Sequence, residues 1–174
     1  NQVAGFDKAF RSYLKDCLAN SDCPFTGTVE QALKKVGELL VKLETSQLPT
    51  QYDRDAGLTV ALYGIIAALY AEQSWPYLTQ AFQEALDGDG STLLLLADFY
   101  NDKDPDGGYL SNISEANVAI NCADERVGPE EFASLREDVL TASSVLGKYF
   151  GYPELGCLGW PEGKSMIELD YGVA

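Results

Sequence analysis

A chain of 174 residues with 46% hydrophobic content has enough apolar material to bury a core, and it reads as one domain over residues 1–174. Its formal net charge of −15, from 27 acidic and 12 basic side chains, disfavours nucleic acid and anionic membrane surfaces, which are held by clustered Lys and Arg. Histidine is absent, so the chain by itself cannot assemble a Ser-His-Asp or Cys-His arrangement or an HExxH metal site.

The first helix is expected over about residues 2–18, where Val3, Phe6, Phe10, Tyr13, Leu14 and Cys17 share one face. Asp22-Cys23-Pro24 ends that unit. Thr28-Val29-Glu30-Gln31 has the form of a capping box, and Ala32, Leu33, Val36, Leu39, Leu40 and Leu43 then form a second apolar stripe. Residues 45–57, TSQLPTQYDRDAG, are polar and without period, which predicts a connection long enough to be mobile or functional.

The most apolar part of the chain follows. Leu58, Leu62, Ile65, Ile66 and Leu69 predict a buried helix, and Trp75, Leu78, Phe82 and Leu86 predict another after the Ser74-Trp75-Pro76 corner. Ser74 is the expected cap of that second helix, with Pro76 in its first turn. Beyond the Asp87-Gly88-Asp89-Gly90 break, Leu93 to Leu96 and Phe99 predict a third helix with Ser91 as its cap. The run near residues 58–71 is shorter than the roughly 20 residues a spanning helix needs, so no membrane span is expected.

Residues 101–112 read as a loop, residues 114–122 as a short helix, and Pro129 as the start of a long amphipathic one. On the latter, Phe132, Leu135, Val139, Ala142, Val145, Leu146 and Tyr149 face inward. The Gly- and Pro-rich tail ends in Ile167-Glu168-Leu169, a strand only if something pairs with it. With so few strand signals the fold class is mainly α, a compact multi-helix domain with long loops. The start of the chain, without an initiator Met or a basic-then-apolar leader, reads as a mature form or an excised piece.

Four cysteines in a chain of this size point to an oxidising, extracytoplasmic compartment, with four free thiols as the alternative. Three connectivities are formally open. Cys17 and Cys23 flank a turn and could close locally, which leaves Cys122 with Cys157. Such bridges would contribute roughly 2 kcal/mol for the short loop and 4 for the long one on the chain-entropy model.

Asp102-Lys103-Asp104-Pro105-Asp106-Gly107 has the opening of a calcium loop, but Ile113 stands where the bidentate Glu belongs. An ordinary acidic turn is the simpler reading. Trp75, Tyr77, Tyr100, Tyr109 and Trp160 are candidates to line a cleft, although aromatics at helical spacing usually belong to a core. Trp160, in an aperiodic loop, either plugs a core edge or faces a partner.

Several segments in order carry a family resemblance: Gly5-Phe6, Asp16-Cys17, Asp22-Cys23-Pro24, Leu58-Thr59, Tyr63-Gly64-Ile65-Ile66, Leu69-Tyr70 and Trp75-Pro76. So do Ala97-Asp98-Phe99-Tyr100, Asp106-Gly107, Ala119-Ile120-Asn121-Cys122-Ala123-Asp124 and Cys157-Leu158-Gly159-Trp160-Pro161. Together they resemble the lid region of secreted bacterial tripeptidyl-aminopeptidase-like serine peptidases of the α/β-hydrolase fold. The resemblance implies a lid-type domain whose residues 162–174 lead back toward a hydrolase body, the expected partner. It also implies that Ser, Asp and His lie outside this chain, which is then not an enzyme when isolated, and it implies no cofactor and no metal.

The implied second partner is the N-terminus of a peptide substrate, whose ammonium group a lid carboxylate would stop at a fixed distance from the nucleophile. Asp124 or Glu125, next to Cys122, is the expected carboxylate, with Glu72 and Asp98 in reserve and Trp75 and Trp160 completing the substrate-facing set. Each acid has an ordinary reading as a solvated or helix-capping side chain. The rival to the whole reading is a freestanding secreted acidic binding module, with calcium at residues 102–113 as its variant.

Overall fold

A computed structural model of the chain describes residues 2–104, 107–124, 129–150, 157 and 160, the side chains of 129–135 excepted. Eight α-helices run through them: α1 (Gln2–Cys17), α2 (Val29–Leu43), α3 (Leu58–Leu69), α4 (Trp75–Asp87), α5 (Ser91–Tyr100), α6 (Ile113–Asp124), α7 (Pro129–Ala142) and α8 (Gly147–Phe150). Among the described residues there is no strand, and two isolated bridges, Leu48 with Ala56 and Lys103 with Tyr109, are the β-type pairings. The fold is mainly α, as its periodicity requires. The predicted strand at 167–169, the inward-facing Phe132 and Leu135, and residues 162–174 lie outside the described residues.

The helix with the clearest sequence signal forms as read. Thr28 Oγ1 accepts from the Gln31 backbone N–H, while the Gln31 side chain accepts from the Thr28 N–H, closing the capping box of α2. All six residues of its predicted stripe are buried. On α1 the predicted face is also inward, joined by Asp7, which the apolar pattern passed over. Arg11 reaches Asp7 one turn back and Glu30 on α2, so the ion network spans the two helices.

At the centre α3 lies against α5. An added Cβ on Gly64 would sit 2.6 Å from the Leu93 carbonyl oxygen, so the absence of a side chain sets how near the two backbones come. Around them Phe10, Tyr13, Phe25 and Phe82 pack ring to ring at centroid distances of 5.2–6.2 Å. Tyr13 and Thr79 bring their hydroxyls within 3.2 Å inside this cluster. Buried Val145 and Leu146, between α7 and α8, join the same core.

Several sequence expectations give way to tertiary contacts. Ser74 stands at the N-cap of α4 but its side chain makes no capping bond, because residues 72–74 are already wound into a 3-10 turn. Ser91 is the first residue of α5 rather than its cap; Gly90 holds the cap position, and Asp89 accepts both the Ser91 N–H and its hydroxyl. Leu86 and Phe99, expected inside, are exposed. The long C-terminal helix breaks after Ala142, where Ser143 Oγ accepts the Leu146 N–H and opens a new short helix.

The two disulfides are Cys17–Cys23 and Cys122–Cys157, with Cα–Cα distances of 5.1 and 5.0 Å. No helix of the described residues is long and apolar enough to cross a membrane.

Replacing Gly64 by Ala is expected to destabilise the domain by roughly 1–3 kcal/mol, because the new methyl meets backbone rather than a side chain that can turn away. Gly37 on α2 has nothing within 4 Å of an added Cβ, so Gly37→Ala should instead stabilise by about 0.5–1 kcal/mol. Urea midpoints of the two variants, moving in opposite directions, check the pair.

Candidate functional site

Helix α5 carries the sequence STLLLLADFY, in which Leu93, Leu94 and Ala97 turn into the core. The opposite side of the same helix presents Leu95 and Phe99 to solvent, with Asp98 half-buried between the two directions. The connection 44–57 is fastened to this helix instead of moving freely. Leu48 and Ala56 exchange backbone hydrogen bonds at 2.9 and 2.8 Å, Gly90 donates to the Pro49 carbonyl at 2.8 Å, and the Gln51 N–H donates to Ser91 Oγ at 2.9 Å. An added Cβ on Gly90 would lie 2.5 Å from that of Ala56, so the loop and the α5 N-terminus meet only because this position is glycine.

The loop thereby delivers Arg54 to Asp98. Arg54 Nη2 donates to both carboxylate oxygens, at 2.7 and 2.5 Å, with both side chains partly shielded. A charge-assisted contact of this kind neutralises Asp98. The pair lies in a groove of about 280 Å³ whose wall includes Tyr52, Leu95, Phe99 and Lys103. Larger open depressions lie elsewhere, one of about 870 Å³ along the α2 C-terminus and the α3 N-terminus.

Beside the groove, Tyr63 and Tyr70 from the α3 region stack on Tyr100 of α5 at 5.5 and 6.0 Å, and Tyr70 meets Phe6 edge-on at 5.5 Å. Burial, followed by a hydrogen bond with the Tyr70 hydroxyl, pushes the Tyr100 phenol up to about 12. These rings form a polar-rimmed aromatic wall.

Of the residues singled out from the sequence, the structure joins Asp98 to this groove and leaves the others apart. Glu72 is exposed at the start of the 3-10 turn, and Asp124 is exposed as the last residue of α6. Glu125 lies outside the described residues. Trp75 is half-buried, edge-on to Tyr13 at 6.0 Å, and its indole Nε1 is buried with no hydrogen-bond partner among the described residues. Trp160 is exposed and donates its backbone N–H to the Cys157 carbonyl.

The acidic turn at 102–113 is organised by its own chain. Asp102 Oδ2 accepts from Ser111, the Leu110 N–H donates to the Asp102 carbonyl, and Lys103 bridges to Tyr109. No group of three or more His, Cys, Asp or Glu side chains converges on a metal position among the described residues. Sequence reasoning missed Arg54, a lone cation in an aperiodic loop, and the outward turn of Phe99; neither carries a signal that spacing alone could find.

The serine protease Hip1 of Mycobacterium tuberculosis (strain ATCC 25618 / H37Rv) is 33% identical to this chain over 172 residues, a match covering 92% of this chain and 33% of that protein. Hip1 of Mycobacterium bovis gives the same figures. Carboxylesterase B of Mycobacterium tuberculosis (strain ATCC 25618 / H37Rv) is 36% identical over 125 residues, covering 71% of this chain and 24% of the relative. The chain thus spans about a third of the length of the first relatives it matches. No protein-family model matches it.

Alkaline titration should expose the shielded phenols. Burial, as the first cause, pushes Tyr13, Tyr100 and Tyr149 each up to about 12 in the fold. The unfolded chain loses the same protons near pH 10. Their contribution to stability is therefore complete below about pH 10 and declines as pH rises toward 12. Phenolate absorbance should show a late-ionising class, and Tyr70→Phe should lower the Tyr100 midpoint.

Proposed function

We propose, because this chain is related to a serine hydrolase family, that it is the lid of an extracytoplasmic α/β-hydrolase serine exopeptidase of the tripeptidyl-aminopeptidase type. One observation carries the reading. A chain without histidine or a G-x-S-x-G sequence aligns over 92% of its length with a third of a serine protease. The catalytic Ser, Asp and His would then belong to the remaining two thirds of the parent protein. This chain's task is to cover the pocket, exclude water and limit which end of a substrate enters.

The chain's own chemistry suits the capture of an ammonium group. An exopeptidase that counts residues from a free N-terminus needs a carboxylate at a fixed distance from the nucleophile. Asp98 is poorly suited, because its charge is matched by Arg54. Asp124 is better suited: it closes α6, where the last helix carbonyls and the negative end of the helix dipole add to its own charge. The Cys122–Cys157 bridge anchors that end two residues away. Glu125, the next residue, shares the assignment by its position in sequence. Trp75 and Trp160 remain the aromatic members of the proposed substrate face.

In the full-length parent, kcat/KM for a peptide with a free N-terminus is compared with that for its N-acetylated form. Asp124→Asn together with Glu125→Gln should lower the former by roughly 10- to 100-fold, the value of one charge-assisted hydrogen bond, and leave the latter unchanged. Undiminished discrimination would remove both acids from substrate binding. A parent gene without a nucleophile motif, Asp and His beyond this segment would remove the lid reading itself.

A further inference from the structure

We propose that the surface formed by Leu95, Phe99, Tyr109, Leu110, Ile113 and Ile120 is the face by which this domain seats on the catalytic body of its parent polypeptide. The inference rests on the lid reading and adds to it an orientation: which side of the helical domain is covered, and by what kind of surface.

Backbone and side-chain hydrogen bonds link the segments that carry these six side chains. Leu95 and Phe99 are one turn apart on the outer side of α5 and share a groove wall with Lys103. Lys103 bridges to Tyr109, and the Leu110 N–H donates to the Asp102 carbonyl at 2.8 Å, so the turn folds Tyr109 and Leu110 back beside the end of α5. Ser111 then donates to Asp102 and accepts the Ile113 N–H at 3.3 Å, which fixes where α6 begins. Ile113 and Ile120, two turns apart, continue the apolar line along one side of α6.

This surface is more exposed than a soluble domain needs. Phe99 is 83% and Leu110 67% accessible, and the other four lie near or above half. At ordinary side-chain areas the six present on the order of 600 Å² of apolar surface, at the upper end of what a monomer leaves bare. Helix α6 points the same way, because of its twelve residues Cys122 alone is buried. A helix this short is marginal without tertiary packing, so it is a natural element to be completed from outside.

The first two helices, by contrast, are finished for water. Residues 1–43 carry six Lys or Arg and five Asp or Glu, whereas residues 44–174 carry six and twenty-two. On the first of these segments Arg11 links Asp7 with Glu30 and Lys35 pairs with Glu38. The apolar face belongs to the acidic part of the chain, with Asp102 and Glu115 beside it. The surface that fits it has an apolar centre and a basic rim. The cover is assigned to the parent's own body because relatives continue for two thirds of their length beyond the matched segment, a polypeptide tethered to the lid at high effective concentration.

Oxidative footprinting of the full-length parent tests this, with peptide hydrolysis measured on the same preparation. Phe99, Tyr109 and Leu110 should label at least ~5-fold more slowly than their exposure in the uncovered domain predicts. Phe99→Asp with Leu110→Asp should restore labelling at Tyr109 and lower kcat/KM by about 10-fold or more, since two charges then enter an apolar contact. Both positions are exposed, so helix content by circular dichroism should hold, and Val41→Asp on α2 should change neither readout. Free labelling in a parent that hydrolyses peptides would overturn the proposed face and leave the lid reading standing. Protection that vanishes on dilution would assign the face to a second copy and overturn it equally. A parent with no hydrolase activity and no triad would fail the lid reading first.

Discussion

The close approach of α3 and α5 at Gly64 is the constraint on which the rest of the molecule depends. Helix α3 is apolar around most of its circumference, so it must be surrounded, and a short helix can be surrounded only if a neighbour comes within backbone distance. With no Cβ between Gly64 and the Leu93 carbonyl, α5 takes that position and its rotation is fixed. Leu93, Leu94 and Ala97 then face inward, and Leu95 and Phe99 have nowhere to point but outward. The groove at Asp98, the tyrosine wall and the turn that leads to α6 all inherit their placement from this one contact.

The surroundings of α5 show how polar groups are used to hold irregular chain in place. Residues 44–57 contain no regular element, yet backbone bonds to Pro49 and Ala56, the Ser91 hydroxyl and the Arg54–Asp98 pair attach them at both ends of the helix. None of these contacts is strong alone, and an ion pair this exposed contributes on the order of 1 kcal/mol at most. Their combined effect is geometric: they set the loop's path and therefore which side chains meet. The C-terminal part of the described chain is attached in a similar way, where Lys148 and Tyr149 share Glu44 beyond the end of α2. Hydrogen bonding by Lys148 and Tyr149 holds the Glu44 carboxyl below its usual range.

Viewed as a lid, the domain divides its labour between two kinds of surface. The α1–α2 side carries balanced charge and intramolecular ion pairs, which suits permanent contact with solvent. The α5–α6 region carries exposed apolar residues and lies within the acidic part of the chain, which suits a contact partner. A domain placed over a catalytic pocket needs both, since one side must stay soluble while the other is buried and reopened. The disulfide at Cys122 ties a sparsely packed helix to a later part of the chain.

Local pattern was sufficient wherever the energy was local. The Thr28–Gln31 capping box and the stripe of α2 needed only residues three and four apart, and the Cys17–Cys23 closure needed only a turn between them. The absence of histidine fixed what the chain cannot catalyse unaided, whatever its fold. Contacts between residues distant in sequence were settled by packing. Phe99 has the spacing of a core residue but lies on the far side of a helix whose rotation Gly64 imposes. Arg54 finds Asp98 forty-four positions away because a loop without period is pinned by Gly90 and Ser91. Periodicity records which side chains share a face; which face turns inward is a property of the assembled helices, because burial is decided by what lies opposite.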